Sequence, residues 1–335
     1  MDSLTQIVLG AAVGEAVLGK KVGNNAILWG AIAGTIPDLD VLTKLFFDSV
    51  TSNEMHRGFS HSIAFSILFA PIFGWLVFKL YKGKKASWRG WSMLMFWGLF
   101  THPLLDMHTS WGTQLLWPLE YKFSYNNIFV VDPLYTLPFL GFLIFAMIQK
   151  RGTVKRARLN NMGIYVSSAY MALTIVFKGI TYFVFKGNLE KQGIEYVSME
   201  TKPTPMNSIL WTANVETQED FLIGYYSLLD TDKNIDFRHF PKNHHLLGEF
   251  ENDPLIARLR KLSHDWYVIE KRDGKLFFND LRFGLMGISS EEERFVFAYE
   301  LTVVDGKLHA EETEKNTEEV KPLLAALFRR MVGNK

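Results

Sequence analysis

The sequence predicts a polytopic α-helical membrane domain followed by a β-rich (α+β) soluble domain. Three observations carry this expectation. Long apolar runs crowd residues 1–186, whereas residues 187–335 have the composition of an ordinary soluble domain. Two short loops, 79–89 and 150–158, each hold five Lys or Arg and no acid. After residue 187, short runs rich in β-branched and aromatic side chains recur, with Asp-Gly pairs between them.

A chain of 335 residues is long enough for two domains. Its net charge is +1, and no continuous basic stripe is interleaved with aromatics, so no nucleic-acid partner is expected. The absence of cysteine excludes disulfides and thiolate metal sites, and is compatible with an extracytoplasmic domain. The opening Met-Asp-Ser-Leu-Thr-Gln lacks the basic region of a standard signal peptide.

Residues 4–18 are apolar and rich in Gly and Ala, which suits close helix packing. At 1.5 Å per residue they reach roughly 22 Å, short for a full crossing. Glu15 inside this run is expected to avoid lipid. Residues 26–36 form a second apolar run, cut by Pro37. Asp38 and Asp40 follow, so a broken helix is expected, of the kind tolerated at membrane depth only where it is buried in protein or lines a cavity. His56-Arg57-Gly-Phe-Ser60-His61 precedes an uncharged apolar run over residues 62–78. Residues 90–105 form another, ending in His102-Pro-Leu-Leu-Asp106-Met-His108. Trp111, Trp117, Tyr121 and Tyr125 in the next loop suit a membrane interface. Residues 128–148 are the next apolar run, where Asp132-Pro133 reads as a helix start. Residues 163–185 are the last, with Lys178 inside. About five to six membrane segments follow from these runs.

Short positive loops stay in the cytoplasm. That places both basic loops and Lys20-Lys21 inside, and brings Asp38, Asp40, His61 and His102 to the outer face together. It also puts the domain at 187–335 outside. Within that domain, residues 209–217, 221–229, 266–278 and 295–312 read as strands. Asp273-Gly274 and Asp305-Gly306 mark hairpins. An amphipathic helix is expected over about residues 318–331.

Ionisable groups in or beside apolar spans usually mark a functional site. Three clusters supply four His and three Asp: Asp38 and Asp40; His56 and His61; His102, Asp106 and His108. On a helix, His102 and Asp106 share one face. Mixed imidazole and carboxylate ligands suit Zn, Mn or Fe. Seven candidates exceed one tetrahedral site, so one or two divalent ions are expected, held by Asp38, Asp40, His56, His61, His102 and Asp106. Two ions would clamp the attacking and leaving oxygens of a displacement, with a water activated as nucleophile. His108 would complete the shell or carry protons. The bland alternative is a set of interfacial polar groups at helix ends. Arg57 would hold an anionic substrate group, or else snorkel to the interface. Ser60 reads as a helix cap rather than a nucleophile. Gln6 and Glu15 are within reach of the site but read rather as helix-packing groups, and Lys178 reads as a structural lysine facing a cavity rather than a substrate contact. His244, His245 and His264 read as surface residues.

The stretches MDSLTQIVLGAAVGEA, TIPDLD at 35–40, HRGFSHS at 56–62 and THPLLDMHTSWGT at 101–113 resemble the YdjM-like inner-membrane proteins, known as membrane-bound metal-dependent hydrolases. The resemblance covers about the first 190 residues, and PTPMNSILW at 203–211 with NDLRFG at 279–284 is similar to a C-terminal extension found in one branch. Some relatives carry His where this chain has Gln6. The resemblance implies a bacterial inner membrane location and a metal-dependent hydrolase, and names no substrate. A site at the outer face suggests membrane lipid and a lipid or lipid-linked (phospho)ester. A phosphatidic-acid-phosphatase-type enzyme fits less well, because the Ser-Arg expected before its His is missing. The non-enzymatic alternatives are a membrane metal-binding or transport protein and an envelope scaffold.

Overall fold

The computed structural model describes residues 1–288, 294–313 and 320–333. They pack as two units. One holds Met1–Leu42, Met55–Val176 and Pro205–Asn207, and the other Thr43–Glu54, Phe177–Thr204 and Ser208–Lys335.

The first unit is helical. Asp2 caps α1 (Ser3–Val22) by accepting from the Thr5 amide. α2 (Asn24–Thr35) returns antiparallel to it after Gly23. The two helices touch along glycines: a Cβ on Gly30 would meet the Gly10 carbonyl, and one on Gly14 the Ala26 carbonyl. Small residues at this spacing let backbones approach closely. Pro37 has no N–H to continue α2, and the chain bends by 46° into a 3-10 helix, Pro37–Leu45. α4 (Ile63–Leu80) and α5 (Trp88–Asp106) pair next, with Trp91, Leu94, Met95 and Leu99 of α5 buried. The cap of α4 is Ser62, which accepts from the Phe65 amide at 3.0 Å. The sequence reading gave that role to Ser60, which instead turns to Asp40. α6 (Pro133–Met147) starts as expected, with Asp132 capping Leu134 and Pro133 in the first turn.

Glu15 is indeed kept from lipid. Arg156 of α7 (Val154–Lys191) grips both its oxygens at 2.6 Å, and Asn160 donates to the Ala12 carbonyl. The basic segments gather at this end of the unit: Arg151 reaches the Lys21 carbonyl, and Lys85 lies over Tyr81, which bonds Asn25. The His and Asp motifs gather at the other end, where the start of α1 meets the end of α5.

α4 and α7 are each long and apolar enough to cross a membrane, and α2 with the 3-10 helix makes a bent third candidate. Ile67, Leu68, Ile72, Trp75 and Leu76 of α4 are exposed, as lipid-facing residues would be. The sequence expectation of five to six segments goes beyond this. Gln6, Glu15, Lys20 and Lys21 dilute the apolar character of α1, and Arg89, His102 and Asp106 that of α5, while α6 has only 15 residues.

The second unit is rich in sheet. β1 (Ser198–Pro203), β2 (Leu210–Glu216), β3 (Asp220–Ser227) and β4 (Arg238–Pro241) form one antiparallel sheet in that order. β5 (Tyr267–Arg272), β6 (Lys275–Leu285), β7 (Phe295–Val304) and β8 (Lys307–Glu312) form the other. Asp273-Gly274 and Asp305-Gly306 turn their hairpins with positive φ at both residues, as the sequence expects. β1, β4 and α8 (Pro254–Ser263) are not legible in the sequence pattern. Phe185 and Leu189 from the end of α7 pack on Trp211 and Val215. The second sheet packs Tyr267, Ile269 and Tyr299 against Ile256 and Leu259 of α8 and against Val50 of α3 (Ser49–Met55). Asn53 of α3 donates to the Tyr299 hydroxyl at 2.9 Å, and Glu54 pairs with Arg258 at 2.7 Å. Thr43–Glu54 is therefore folded into the sheet unit. The closing helix, α9, is described over Val320–Met331; residues 318 and 319 of the expected helix lie outside the described residues.

Lys202 of β1 is buried and donates to the Leu281 and Arg282 carbonyls where β6 bulges. Burial disfavours its charged form and lowers its pKa to about 8 from 10.5. Between these values the unfolded chain holds more protons than the folded one, so stability rises with pH across that window. The penalty is full below pH 8. Thermal unfolding of the full chain and of Lys202→Met should therefore show the wild type gaining stability relative to the variant from pH 8 to 10.5. A flat difference would mean that Lys202 keeps its ordinary pKa.

Candidate metal centre

Three elements deliver four side chains to one point. The 3-10 helix after Pro37 supplies Asp38, the turn before α4 supplies His61, and the last turn of α5 supplies His102 and Asp106 one helical turn apart. One donor atom from each lies within 4.8 Å of all the others. His61 Nε2 is 3.1 Å from His102 Nε2 and 3.4 Å from both Asp38 Oδ1 and Asp106 Oδ2. His102 Nε2 is 3.4 Å from Asp38 Oδ1 and 3.5 Å from Asp106 Oδ2. An ion with tetrahedral bonds of about 2.0–2.1 Å needs donors about 3.3 Å apart. The spacing fits one such ion.

The hydrogen bonds point the same way. His102 Nδ1 lies 2.6 Å from the Gly34 carbonyl at the end of α2. A carbonyl only accepts, so Nδ1 carries the proton and Nε2 presents a lone pair inward. This contact depends on the glycine seam between α1 and α2 and on Gly98 of α5, where a Cβ would collide with Ala33. His61 Nδ1 faces outward to Ser60 Oγ at 3.0 Å and Asp40 Oδ2 at 3.2 Å. Asp106 Oδ1 accepts from Gln6 Nε2 at 2.8 Å and from the Met1 amine, while its buried Oδ2 has no hydrogen-bond partner. The outward atoms are hydrogen-bonded, and the inward Asp106 Oδ2 has Arg57 Nε beside it at 3.1 Å.

His61, His102 and Asp106 are fully buried, whereas the Asp38 side chain is 24% exposed, so access is from the Asp38 side. Burial opposes a charged His61, but hydrogen bonds to Asp106, Asp38 and Asp40 outweigh it and lift its pKa to about 9. A proton and a metal ion would compete for this nitrogen.

The other predicted site residues stand beside this group. Asp40 accepts from His56 Nδ1 at 2.9 Å, the Arg57 amide at 2.8 Å and Ser60 Oγ at 3.2 Å. His56 is thereby tied to Asp40 rather than to the four, and burial lowers its pKa. Arg57 sits at φ 56°, a left-handed conformation costing about 1–3 kcal/mol. Its amide on Asp40 and its carbonyl under the Gln114 amide hold it there. Its guanidinium is buried, bonded to Thr109 at 2.7 Å, with Nε 3.1 Å from Asp106 Oδ2. His108 lies outside the four, with Nδ1 on Asn127 Oδ1 at 2.8 Å and its ring near Tyr125; burial lowers its pKa. The sequence favours a packing role for Gln6 and does not single out Thr109 or the Gly34 carbonyl. Only Gln6 left a signal, as an amide inside an apolar run.

The sequence profile of the YdjM inner membrane protein family matches residues 1–182. The chain belongs to this family. The match takes in every residue of the candidate centre. No curated protein and no solved structure matches the chain. Membership places the chain in an inner membrane protein family, and Asp38 with the buried His61, His102 and Asp106 could hold a metal ion.

Inner and outer positions should separate on substitution. Asp38→Ala is expected to abolish stoichiometric metal binding. Asp40→Ala should weaken it about 10–100-fold by loosening His61, as outer hydrogen-bond partners of metal ligands do. Competition titration with a chromophoric chelator distinguishes them, and equal losses from both would remove the assignment.

Proposed function

We propose that the chain is a membrane-bound metal-dependent hydrolase acting on a lipid or lipid-linked (phospho)ester. The observation that carries this is the set of four donors at tetrahedral spacing, closed on three sides and open at Asp38. The spacing favours one ion, Zn, Mn or Fe, over two. A bound divalent ion supplies Lewis acidity and lowers the pKa of coordinated water. Arg57 would hold Asp106 in place and offer positive charge to an anionic substrate group. His108, kept neutral by burial, would take or give a proton near the leaving group. The positive loops at the opposite end argue for a site at the outer face, a multi-pass helical domain, and residues 187–335 outside the cytoplasm. Exposed Leu39, Val41 and Leu42 on the segment that carries Asp38 suit an apolar substrate.

A second reading has its own support. Four protein donors fill a tetrahedron, which is the habit of structural rather than catalytic sites. Catalysis requires Asp38 to yield a position or the ion to take a fifth ligand. On the second reading the centre is a non-enzymatic metal site in a binding, transport or scaffold protein.

A screen of phospholipids and lipid-linked phosphates with detergent-purified protein separates the readings. Hydrolysis that is lost on chelation, restored by one of the three metals and absent in His102→Ala is the expected result. Chelator-resistant hydrolysis would favour a His nucleophile. Bound metal without hydrolysis of any substrate would favour the structural site.

A further inference from the structure

Gln6 is fully buried on α1, in a run that apart from Glu15 is made of apolar and small residues. Its Nε2 donates to Asp106 Oδ1 at 2.8 Å and to the His102 carbonyl at 3.3 Å. Both partners are acceptors, so the orientation of the amide is fixed: Nε2 faces them and Oε1 faces away. Oε1 is then a buried acceptor without a partner. An unpaired buried acceptor is destabilising, and a methionine of similar shape would avoid it. Packing alone does not account for an amide here; the donor does.

The two oxygens of Asp106 are chemically identical until their surroundings distinguish them. Oδ1 takes the Gln6 amide, and Oδ2 faces the two Nε2 atoms of His61 and His102. Rotation of the carboxylate would exchange them. Gln6 opposes that rotation together with the Met1 amine on the same oxygen and Arg57 Nε beside the other, and by also holding the His102 carbonyl it ties both ligands of α5 to α1. We propose that Gln6 is a positioning residue of the metal centre, fixing which oxygen of Asp106 meets the ion. This rests on the metal reading above.

The test is a titration of full-length, detergent-purified protein with Co(II), read by visible absorption and by competition for affinity. Gln6→Met should bind about 10–100-fold more weakly, the usual effect of losing an outer hydrogen bond to a ligand, with a changed ligand-field spectrum. Gln6→Glu keeps the shape but sets acceptor against acceptor, and should bind at least as weakly. Thr5→Val is the control, because Thr5 is equally buried on α1 but bonds Thr136 and Asp2; it should match the wild type. Wild-type affinity and spectrum in Gln6→Met would overturn the inference. So would an equal loss in Thr5→Val, which would trace the effect to helix packing. A wild type that binds no cobalt is a different failure: it removes the metal reading and this inference with it.

Discussion

Two carboxylates and two imidazoles crowd within a few ångströms of one another, and three of the four groups are fully buried. An ionised carboxylate removed from water costs several kcal/mol unless a positive partner compensates it. Arg57 is one such partner for Asp106. The remaining negative charge calls for protons on the imidazoles or a cation between them. The Gly34 carbonyl takes the outer proton of His102, an arrangement that suits a cation between the rings.

That carbonyl is in place because of backbone packing. The glycine contacts of α1 with α2, and of α5 with α2, let three helices approach closely enough for a main-chain oxygen to meet a ring nitrogen. The same approach sets Gln6 against Asp106. The polar centre and the small-residue seam are thus one construction. The 3-10 helix after Pro37 adds the fourth donor from a direction that a continued α-helix would not provide.

Much of this was legible in the sequence, for physical reasons. His and Asp are costly beside apolar runs, so the three clusters stood out, and the basic loops aligned them at one end. The ranking within the clusters was not legible. Asp38 and Asp40 differ by two positions, and their separation into an inner donor and an outer acceptor depends on a 3-10 turn that no periodicity announces. His56 and His108 look like ligands by residue type, but they stand outside the four, with Nδ1 on Asp40 and on Asn127 respectively. In the sheet unit the Asp-Gly turns were clear, since few other pairs accept two positive φ values. β1, with Lys202 and Pro203, and α3, with a largely polar sequence, owe their structure to partners distant in the chain. Among the described residues two helices, or three with the bent pair, are long and apolar enough to cross a membrane, while the helices that bear the centre carry polar residues that lower their apolar character.

The most direct measurement is the metal content of detergent-purified protein by mass spectrometry, free of histidine tags, beside a His102→Ala/Asp106→Ala variant. The account predicts about one ion of Zn, Mn or Fe per wild-type chain, as a single tetrahedral site requires, and none in the variant. No metal in the wild type, even after incubation with each ion, would contradict it.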